Sequence, residues 1–175
     1  MKRPDRDATY RAPTQDRTRK GNGRQWAALG LLGFAALAPA AEQTLTFSLV
    51  TRAMDVKAEK VAAIDGQVVS TGRYAGTAVF SDGRLANKEF TLSSDLRKGA
   101  GPFYGYSTYT FVDGSSLVLR FEGTLTPGQP MVGHYTVLSG SGIYAGATGS
   151  GRFEKVDDPW DNANLYQGSL RITTR

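Results

Sequence analysis

The sequence predicts an all-β fold, either an antiparallel sandwich or a barrel, and three observations lead to this prediction. β-Branched and aromatic residues recur in short runs separated by Gly, Asp and Pro, which is the pattern of strands joined by turns. Two Asp-Gly pairs each stand between two such runs. No long segment after residue 40 has a convincing helical period. Many short strands at this spacing are typical of sandwiches and barrels, and 175 residues suffice for one such domain.

Residues 1–40 have the layout of a secretory signal peptide. A basic stretch ends at Arg24, an uncharged apolar run begins at Trp26, and Ala38-Pro39-Ala40 fits the small-x-small cleavage pattern. The alternative is a membrane anchor, but the apolar run is shorter than the ~20 residues that span a bilayer. We therefore expect cleavage after Ala40, no stable membrane anchor afterwards, and a periplasmic or secreted β-domain over residues 41–175.

Composition and charge exclude several classes of site. The chain has no Cys and a single His, so disulfides, thiol nucleophiles, Cys-based zinc sites and two-histidine metal sites are excluded. The net charge of +5 lies entirely in residues 1–40, which hold eight basic and three acidic residues, while thirteen of each sign follow. A nucleic-acid surface needs an excess of positive charge on the folded part, so none is predicted. We also predict no metal site and no cofactor.

Nine runs of the mature part are predicted as strands: Thr44–Arg52, Gln67–Thr71, Tyr74–Ser81, Leu85–Leu92, Phe103–Val112, Ser115–Thr126, Met131–Ser139, Gly149–Val156 and Leu165–Thr174. Between the first two runs, Ala53–Ile64 is loosely amphipathic and is the best candidate for a short helix.

The two Asp-Gly pairs, Asp82-Gly83 and Asp113-Gly114, predict tight hairpins. A two-residue loop in a type I′ turn is expected at each, because Gly accepts a positive φ without strain. If Asp113-Gly114 is such a loop, it pairs Val112 with Ser115 and sets the register of both flanking strands, whereas a longer loop would shift the register and exchange the two faces.

This register places one apolar face towards the core or barrel lumen, and that face supplies the candidate ligand-binding residues Tyr104, Tyr106, Leu119 and Phe121. Arg120 and Glu122 then point outward as an exposed ion pair. The alternative is a polar spot in a pocket, where Arg120 holds an anionic group. His134 is a further candidate, as a general acid or base, although a lone strand histidine is more often structural.

The Gly-rich segment 140–151 is predicted to be a structural hairpin. It lacks the spacing of phosphate-binding loops, and no helix follows it. We expect at least one of Gly142, Gly146 and Gly149 to adopt a positive φ. The acidic tract Asp157–Asn164 lacks the calcium-loop pattern and is interpreted as a polar loop.

The run from Gly140 to Gly149, G-S-G-I-Y-A-G-A-T-G, follows a predicted strand and resembles the late hairpin of the allene oxide cyclase and dirigent-like barrel superfamily. Together with Asp113-Gly114 and the R-F-E-G-T run from Arg120, the similarity covers roughly Phe103–Phe153. The resemblance implies a lipocalin-like antiparallel barrel of eight strands with a mostly apolar lumen, homo-oligomers, and cofactor-independent cyclisation or coupling of small hydrophobic substrates. The matched residues are structural, so no catalytic residue is carried over.

Two functions are consistent with these features. The first is an exported barrel that binds a small hydrophobic ligand and acts as a cofactor-independent cyclase or isomerase by holding it in a reactive conformer. The second is a non-enzymatic exported β-domain, a binding or envelope interaction module. A lumen of ~300–1,000 Å³ would favour the first, and a lumen filled by side chains the second. The residues leave open whether the protein is an enzyme.

Overall fold

The computed structural model describes residues 41–157 and 160–174, so the predicted signal peptide, residues 1–40, lies outside the described residues. Eight strands form one closed barrel in sequence order, with each strand antiparallel to the next and the last paired with the first. They are β1 (Ala41–Lys60), β2 (Gln67–Phe80), β3 (Leu85–Arg97), β4 (Gly101–Phe111), β5 (Ser116–Leu125), β6 (Val132–Ser141), β7 (Thr148–Val156) and β8 (Asn164–Thr174). The predicted eight-stranded antiparallel barrel is confirmed. Within the described residues, no helix is both long and apolar enough to cross a membrane.

Alternate residues of each strand fill the barrel, because successive side chains of a strand point to opposite faces of the sheet. On β1, for example, Leu45, Phe47, Leu49 and Thr51 are buried while the residues between them are exposed. A barrel of eight strands has an interior just wide enough for side chains to fill it or to leave room for one small ligand. The core of this protein is therefore the lumen itself.

The two Asp-Gly hairpins have three-residue loops, so the predicted two-residue type I′ turns are wrong. The Phe111 N–H donates to the Ser115 carbonyl at 2.9 Å, and the Gly114 N–H donates to the Phe111 carbonyl at 3.0 Å. Gly114 has a φ of +82°, but Asp113 does not have a positive φ, as a type I′ turn would require. The Asp113 carboxylate instead accepts a hydrogen bond from the Ser115 N–H at 2.9 Å, which stabilises this longer loop.

The extra loop residue shifts the register of β4 and β5 by one position. Tyr106 is the cross-strand partner of Arg120, and Gly105 is the partner of Phe121. Because the side-chain period of a strand is two, this shift exchanges the two faces of β4 relative to β5. The apolar residues of both strands, including Phe103 and Phe111, consequently meet inside the barrel.

The segment Ala53–Lys60 is the second half of β1, so the predicted helix over Ala53–Ile64 is wrong. Its backbone pairs with the first half of β2, and Lys60 lies opposite Val68. This hairpin satisfies the backbone hydrogen bonds of a segment that is too short to be stable as an isolated helix. The run from Met54 to Glu59 alternates apolar and polar residues with the period of a strand, although both faces of the segment are exposed in the barrel. The two runs predicted around Gly72 are likewise one continuous strand, β2.

One end of the barrel is closed by the connection between β6 and β7. A 3₁₀ turn, Gly142–Tyr144, buries the Tyr144 ring against Phe111, with 4.9 Å between ring centroids. The Arg84 guanidinium donates a hydrogen bond to the Tyr144 hydroxyl across this end. The expected positive φ in the Gly-rich segment is confirmed, with +61° at Gly142 and +70° at Gly146. Access to the lumen must therefore come from the opposite end.

Candidate functional site

Lys88 is a buried lysine in the middle of the lumen. It lies on β3 and, like Ala86 and Phe90 on either side of it in the alternation, it points into the barrel. Only 3% of its surface is exposed. Lys88 is not among the candidate residues predicted from the sequence. The signal was present, because the alternation of Ala86, Lys88, Phe90 and Leu92 places one lysine in an otherwise apolar row. Lysine is almost never fully buried unless it is paired, so its partners matter.

The partners of the Lys88 amine are tyrosine hydroxyls. Its Nζ donates a hydrogen bond to the Tyr135 hydroxyl at 2.6 Å, and this hydroxyl lies 3.4 Å from that of Tyr109. Neither tyrosine hydroxyl is exposed. The ion pairs formed by residues 41–157 and 160–174 do not include Lys88, so no carboxylate there neutralises it.

Burial lowers the pKa of Lys88 to about 7, because the charged ammonium loses its hydration without gaining an opposite charge. The same desolvation raises the pKa values of Tyr109 and Tyr135, so both hydroxyls stay protonated at neutral pH. Aromatic rings act in the opposite direction on Lys88, because their faces attract a cation. Five aromatic rings have their centroids within 4.7–5.9 Å of Nζ, and they belong to Phe90, Tyr109, Phe121, Tyr135 and Phe153.

An inner cavity lies beside Lys88, and a wider mouth lies beyond it. The inner cavity has a free volume of about 20 Å³, which is room for about one water molecule. It is lined by Leu49, Lys88, Phe90, Leu92, Phe121, Met131, Tyr135, Phe153 and Tyr166.

The mouth is a depression of about 790 Å³ between the β5–β6 and β7–β8 connections. Met131 and Tyr166 line both the mouth and the inner cavity, so they form the partition between the two. Leu125, Pro130 and Trp160 add apolar surface to the mouth, while Lys155 and Asp157 add one charge of each sign. A methionine is well suited to such a partition, since its unbranched side chain changes rotamer easily.

The four predicted lumen residues separate into two pairs. Leu119 and Phe121 are buried inside the barrel, and Phe121 lines the inner cavity. Tyr104 and Tyr106 lie on the outer face, 49% and 52% exposed, so their predicted position in the lumen is wrong. The cause is the three-residue hairpin loop, which reverses the faces of β4 relative to β5. The lumen does contain tyrosines, but they are Tyr109 and Tyr135.

The three secondary candidates meet on the outer face. Arg120 and Glu122 form the expected ion pair, 2.7 Å between Nη2 and Oε2. His134 is exposed on β6 and is the cross-strand partner of Glu122. These residues share the outer surface with Tyr104 and Tyr106, on the face of the sheet opposite to that of Lys88. Among the described residues, no three His, Cys, Asp or Glu side chains come together in a group that could hold a metal ion.

The chain matches no protein-family model and no curated protein. Solved structures are similar to it in fold. The pterocarpan synthase dirigent protein GePTS1 is 15% identical with a TM-score of 0.54, and the match covers 86% of this chain and 96% of that one. The pterocarpan synthase dirigent protein PsPTS1 is 14% identical with a TM-score of 0.51, covering 75% and 94%. A protein of unknown function from the DUF3224 family of Shewanella oneidensis MR-1 is 21% identical with a TM-score of 0.42, covering 75% and 96%.

These likenesses show the fold alone, which is a dirigent-like barrel. The allene oxide cyclase part of the sequence resemblance stays a prediction.

Proposed function

We propose that this barrel binds a small, largely apolar ligand whose single oxygen is held by Lys88 and Tyr135. The observation that carries the proposal is the position of the Lys88 amine, buried without a carboxylate at the inner end of an aromatic cavity. An unpaired buried amine is costly for the fold, and such groups are found where a site requires them. The Tyr135 hydroxyl accepts one hydrogen bond from Nζ, and an oxygen acceptor on a ligand would supply a second partner for an amine that can donate up to three.

The mouth would hold the bulk of the ligand. Its volume lies within the range of small-molecule sites, ~300–1,000 Å³, whereas the inner cavity is far below that range. The ligand would therefore pack between Pro130 and Trp160, and only its oxygen-bearing end would pass Met131 and Tyr166. Binding of this kind fixes the conformer of the ligand. Cofactor-independent cyclisation or isomerisation is the activity that it would support.

A titration with three small aromatic compounds tests the proposal. Benzyl alcohol, benzoate and toluene share a ring and differ in their oxygen, and binding is followed by chemical-shift changes in the protein. We expect saturable chemical-shift changes around Met131 and Tyr166. The oxygen-bearing compounds should bind about 10-fold more tightly than toluene, because one hydrogen bond to a charged or polar partner contributes about that factor in affinity. In Lys88→Met this preference is lost, and in the exposed-lysine control Lys57→Met it is retained. Shifts confined to the outer face, or the absence of saturation for all three compounds, would overturn the proposal.

The second candidate function, a non-enzymatic binding or envelope interaction module, is favoured by the nearly filled lumen. Side chains leave only about 20 Å³ free beside Lys88, and such a core resembles that of a structural barrel. In this case the outer face around Tyr106 and Arg120 would carry the interaction. The titration separates the two candidates, because a filled lumen that does not open gives no shift at Phe121, which lines the inner cavity and not the mouth.

We also propose that the chain is exported and cleaved after Ala40. Cleavage there would leave Ala41, which is paired with Thr174 of β8, and every described residue of β1 in the mature protein.

A further inference from the structure

We propose that Lys88 binds its ligand covalently, as an imine formed with the carbonyl group of an aldehyde or ketone. This inference rests on the proposed function and narrows the ligand class, from any oxygen-bearing apolar molecule to a carbonyl compound.

The surroundings of Lys88 are those of a nucleophilic amine. A lysine in an ion pair keeps its proton and has no lone pair to offer, but the described residues around Nζ supply only aromatic rings and phenolic hydroxyls. The low-dielectric cavity favours the neutral amine, and burial accordingly lowers the pKa of Lys88 to about 7. A desolvated lysine in an apolar pocket is one of the ways in which proteins activate an amine for attack on a carbonyl.

Lys88 also stands where a carbonyl group would arrive. The inner cavity has its opening between Met131 and Tyr166, and Lys88 lines its wall on the β3 side. A ligand that enters from the mouth with its polar end first meets Nζ and the Tyr135 hydroxyl together, because these two atoms are 2.6 Å apart. The small inner volume suits a carbonyl group rather than a whole ligand.

Tyr135 can supply the proton that imine formation requires. The lone pair of Nζ attacks the carbonyl carbon, a C–N bond forms, and a proton passes from nitrogen to oxygen to give a carbinolamine. The Tyr135 phenol then protonates the hydroxyl group, the C–O bond breaks, and water leaves. The resulting iminium returns its N–H proton to the phenolate, so that amine and carbonyl have become imine and water with no oxidant or reductant. Tyr109, whose hydroxyl lies 3.4 Å from that of Tyr135, would hold Tyr135 in this orientation.

If Lys88 only filled space in the core, an apolar residue would serve the fold better. A buried charge without a partner is commonly replaced by an apolar side chain of similar size with no loss of stability. Methionine would fill the Lys88 position without desolvating a charge, so packing alone does not explain the lysine.

Reductive trapping tests the imine. The full chain is incubated with benzaldehyde and sodium cyanoborohydride at pH 7, and the benzylated lysines are identified by peptide mass mapping. We expect one benzyl group on Lys88, added at least about 10-fold faster than at the exposed Lys57 and Lys60 of the same molecule. The neutral fraction of an amine with a pKa of 7 exceeds that of a reference lysine about 1,000-fold at this pH, and slow entry through the mouth reduces the advantage.

The variants and the pH profile make the test specific. The rate of labelling at Lys88 should level off above about pH 7, because the amine is then largely neutral. Lys88→Met should take up no lumen label, Lys57→Met should retain it, and Tyr135→Phe should slow it about 10-fold or more, as expected when a proton donor is removed.

Two results would count against the imine, and they separate it from the proposed function. Equal labelling of Lys88 and Lys57, or equal uptake by the wild type and Lys88→Met, overturns the covalent step. If benzyl alcohol still binds in the lumen in that case, ligand binding stands and only the imine is lost. If benzyl alcohol does not bind either, both proposals are overturned.

Discussion

The Nζ of Lys88 donates a hydrogen bond of 2.6 Å to the hydroxyl of Tyr135, and both side chains are buried. This contact joins β3 to β6 across the lumen, between strands that are not neighbours in the sheet. It leaves a lysine with aromatic rings on several sides and no carboxylate among the described residues that face it. The buried amine therefore lowers the stability of the fold at any pH at which it is charged.

The first prediction concerns the dependence of stability on pH. The pKa of Lys88 is about 7 in the folded protein and near its ordinary value of 10.5 in the unfolded chain. Between these two values the unfolded chain binds the extra proton, so stability should rise with pH across this window. Below about pH 7 both states are protonated, and the full penalty of the buried charge is present.

Replacing the lysine should remove this penalty. We expect Lys88→Met to be more stable than the wild type at pH 6, by up to about 5 kcal/mol for a pKa difference of this size. The advantage should shrink steadily towards pH 10, because Tyr109 and Tyr135 stay protonated and no carboxylate faces the amine. Urea denaturation of both proteins from pH 6 to 10 measures the difference, with Lys57→Met as the exposed control. A difference that does not vary with pH would mean that Lys88 is solvated in the folded state.

The second prediction tests which side of β4 and β5 faces the lumen. Phe121→Ala should destabilise the protein by ~3–5 kcal/mol, because it removes a buried ring from a packed core. Tyr104→Ala and Tyr106→Ala should each change stability by no more than ~0.5 kcal/mol, as exposed substitutions do. Chemical denaturation gives all three values. A large loss for Tyr106→Ala would show that this tyrosine is buried in solution.

The third prediction distinguishes backbone strain from steric overlap in the Gly-rich hairpin. Gly146 has a φ of +70° and nothing within 4 Å of an added Cβ, so Gly146→Ala should cost only ~1–2 kcal/mol of strain. Gly149 has a φ of +153°, and an added Cβ would overlap the Arg171 carbonyl oxygen. Gly149→Ala should cost ~3 kcal/mol or more, because strain and overpacking add. Equal melting temperatures for the two variants would contradict this account.

The fourth prediction concerns export. The protein recovered from the periplasm or the medium of the expressing cell should begin at Ala41, because Ala38 and Ala40 occupy the small positions before the cut. Mass spectrometry of the intact protein identifies the first residue. A full-length chain that still carries residues 1–40 would contradict both the cleavage and the localisation. Replacing Ala40 by a bulky residue is the matched control and should block processing.

Strand positions could be predicted because their signals are local. Runs of β-branched and aromatic residues end at Gly and Asp, and hairpins form at Asp82-Gly83 and Asp113-Gly114, where the sequence places them. The strand prediction missed Ala53–Lys60, although its apolar and polar residues alternate from Met54 to Glu59, because Ala, Lys and Glu are good helix formers and the segment was interpreted as a loosely amphipathic helix. Its strand conformation follows from pairing with β2, which is a contact between distant residues.

The register could not be predicted from the turn alone. Loops of two and three residues are both compatible with Asp113-Gly114, and one residue of difference decides whether Tyr106 or Tyr109 faces the lumen. The shorter loop leaves Phe103 and Phe111 on the solvent side of the sheet, opposite the buried Phe121. The observed loop buries all three, and this gain in apolar burial selects it.

The sequence by itself determined the all-β class, the number of Asp-Gly hairpins and the inward orientation of Leu119 and Phe121. These features depend on strand propensity and on the alternation of side chains, which are both set over a few neighbouring residues. Only the tertiary structure decided that Lys88 and Tyr135 meet. They lie 47 residues apart on strands that are not paired, and the closure of the barrel brings them to one cavity. The lowered pKa of this amine is equally a tertiary property, since it arises when the surrounding chain removes water from the charged group.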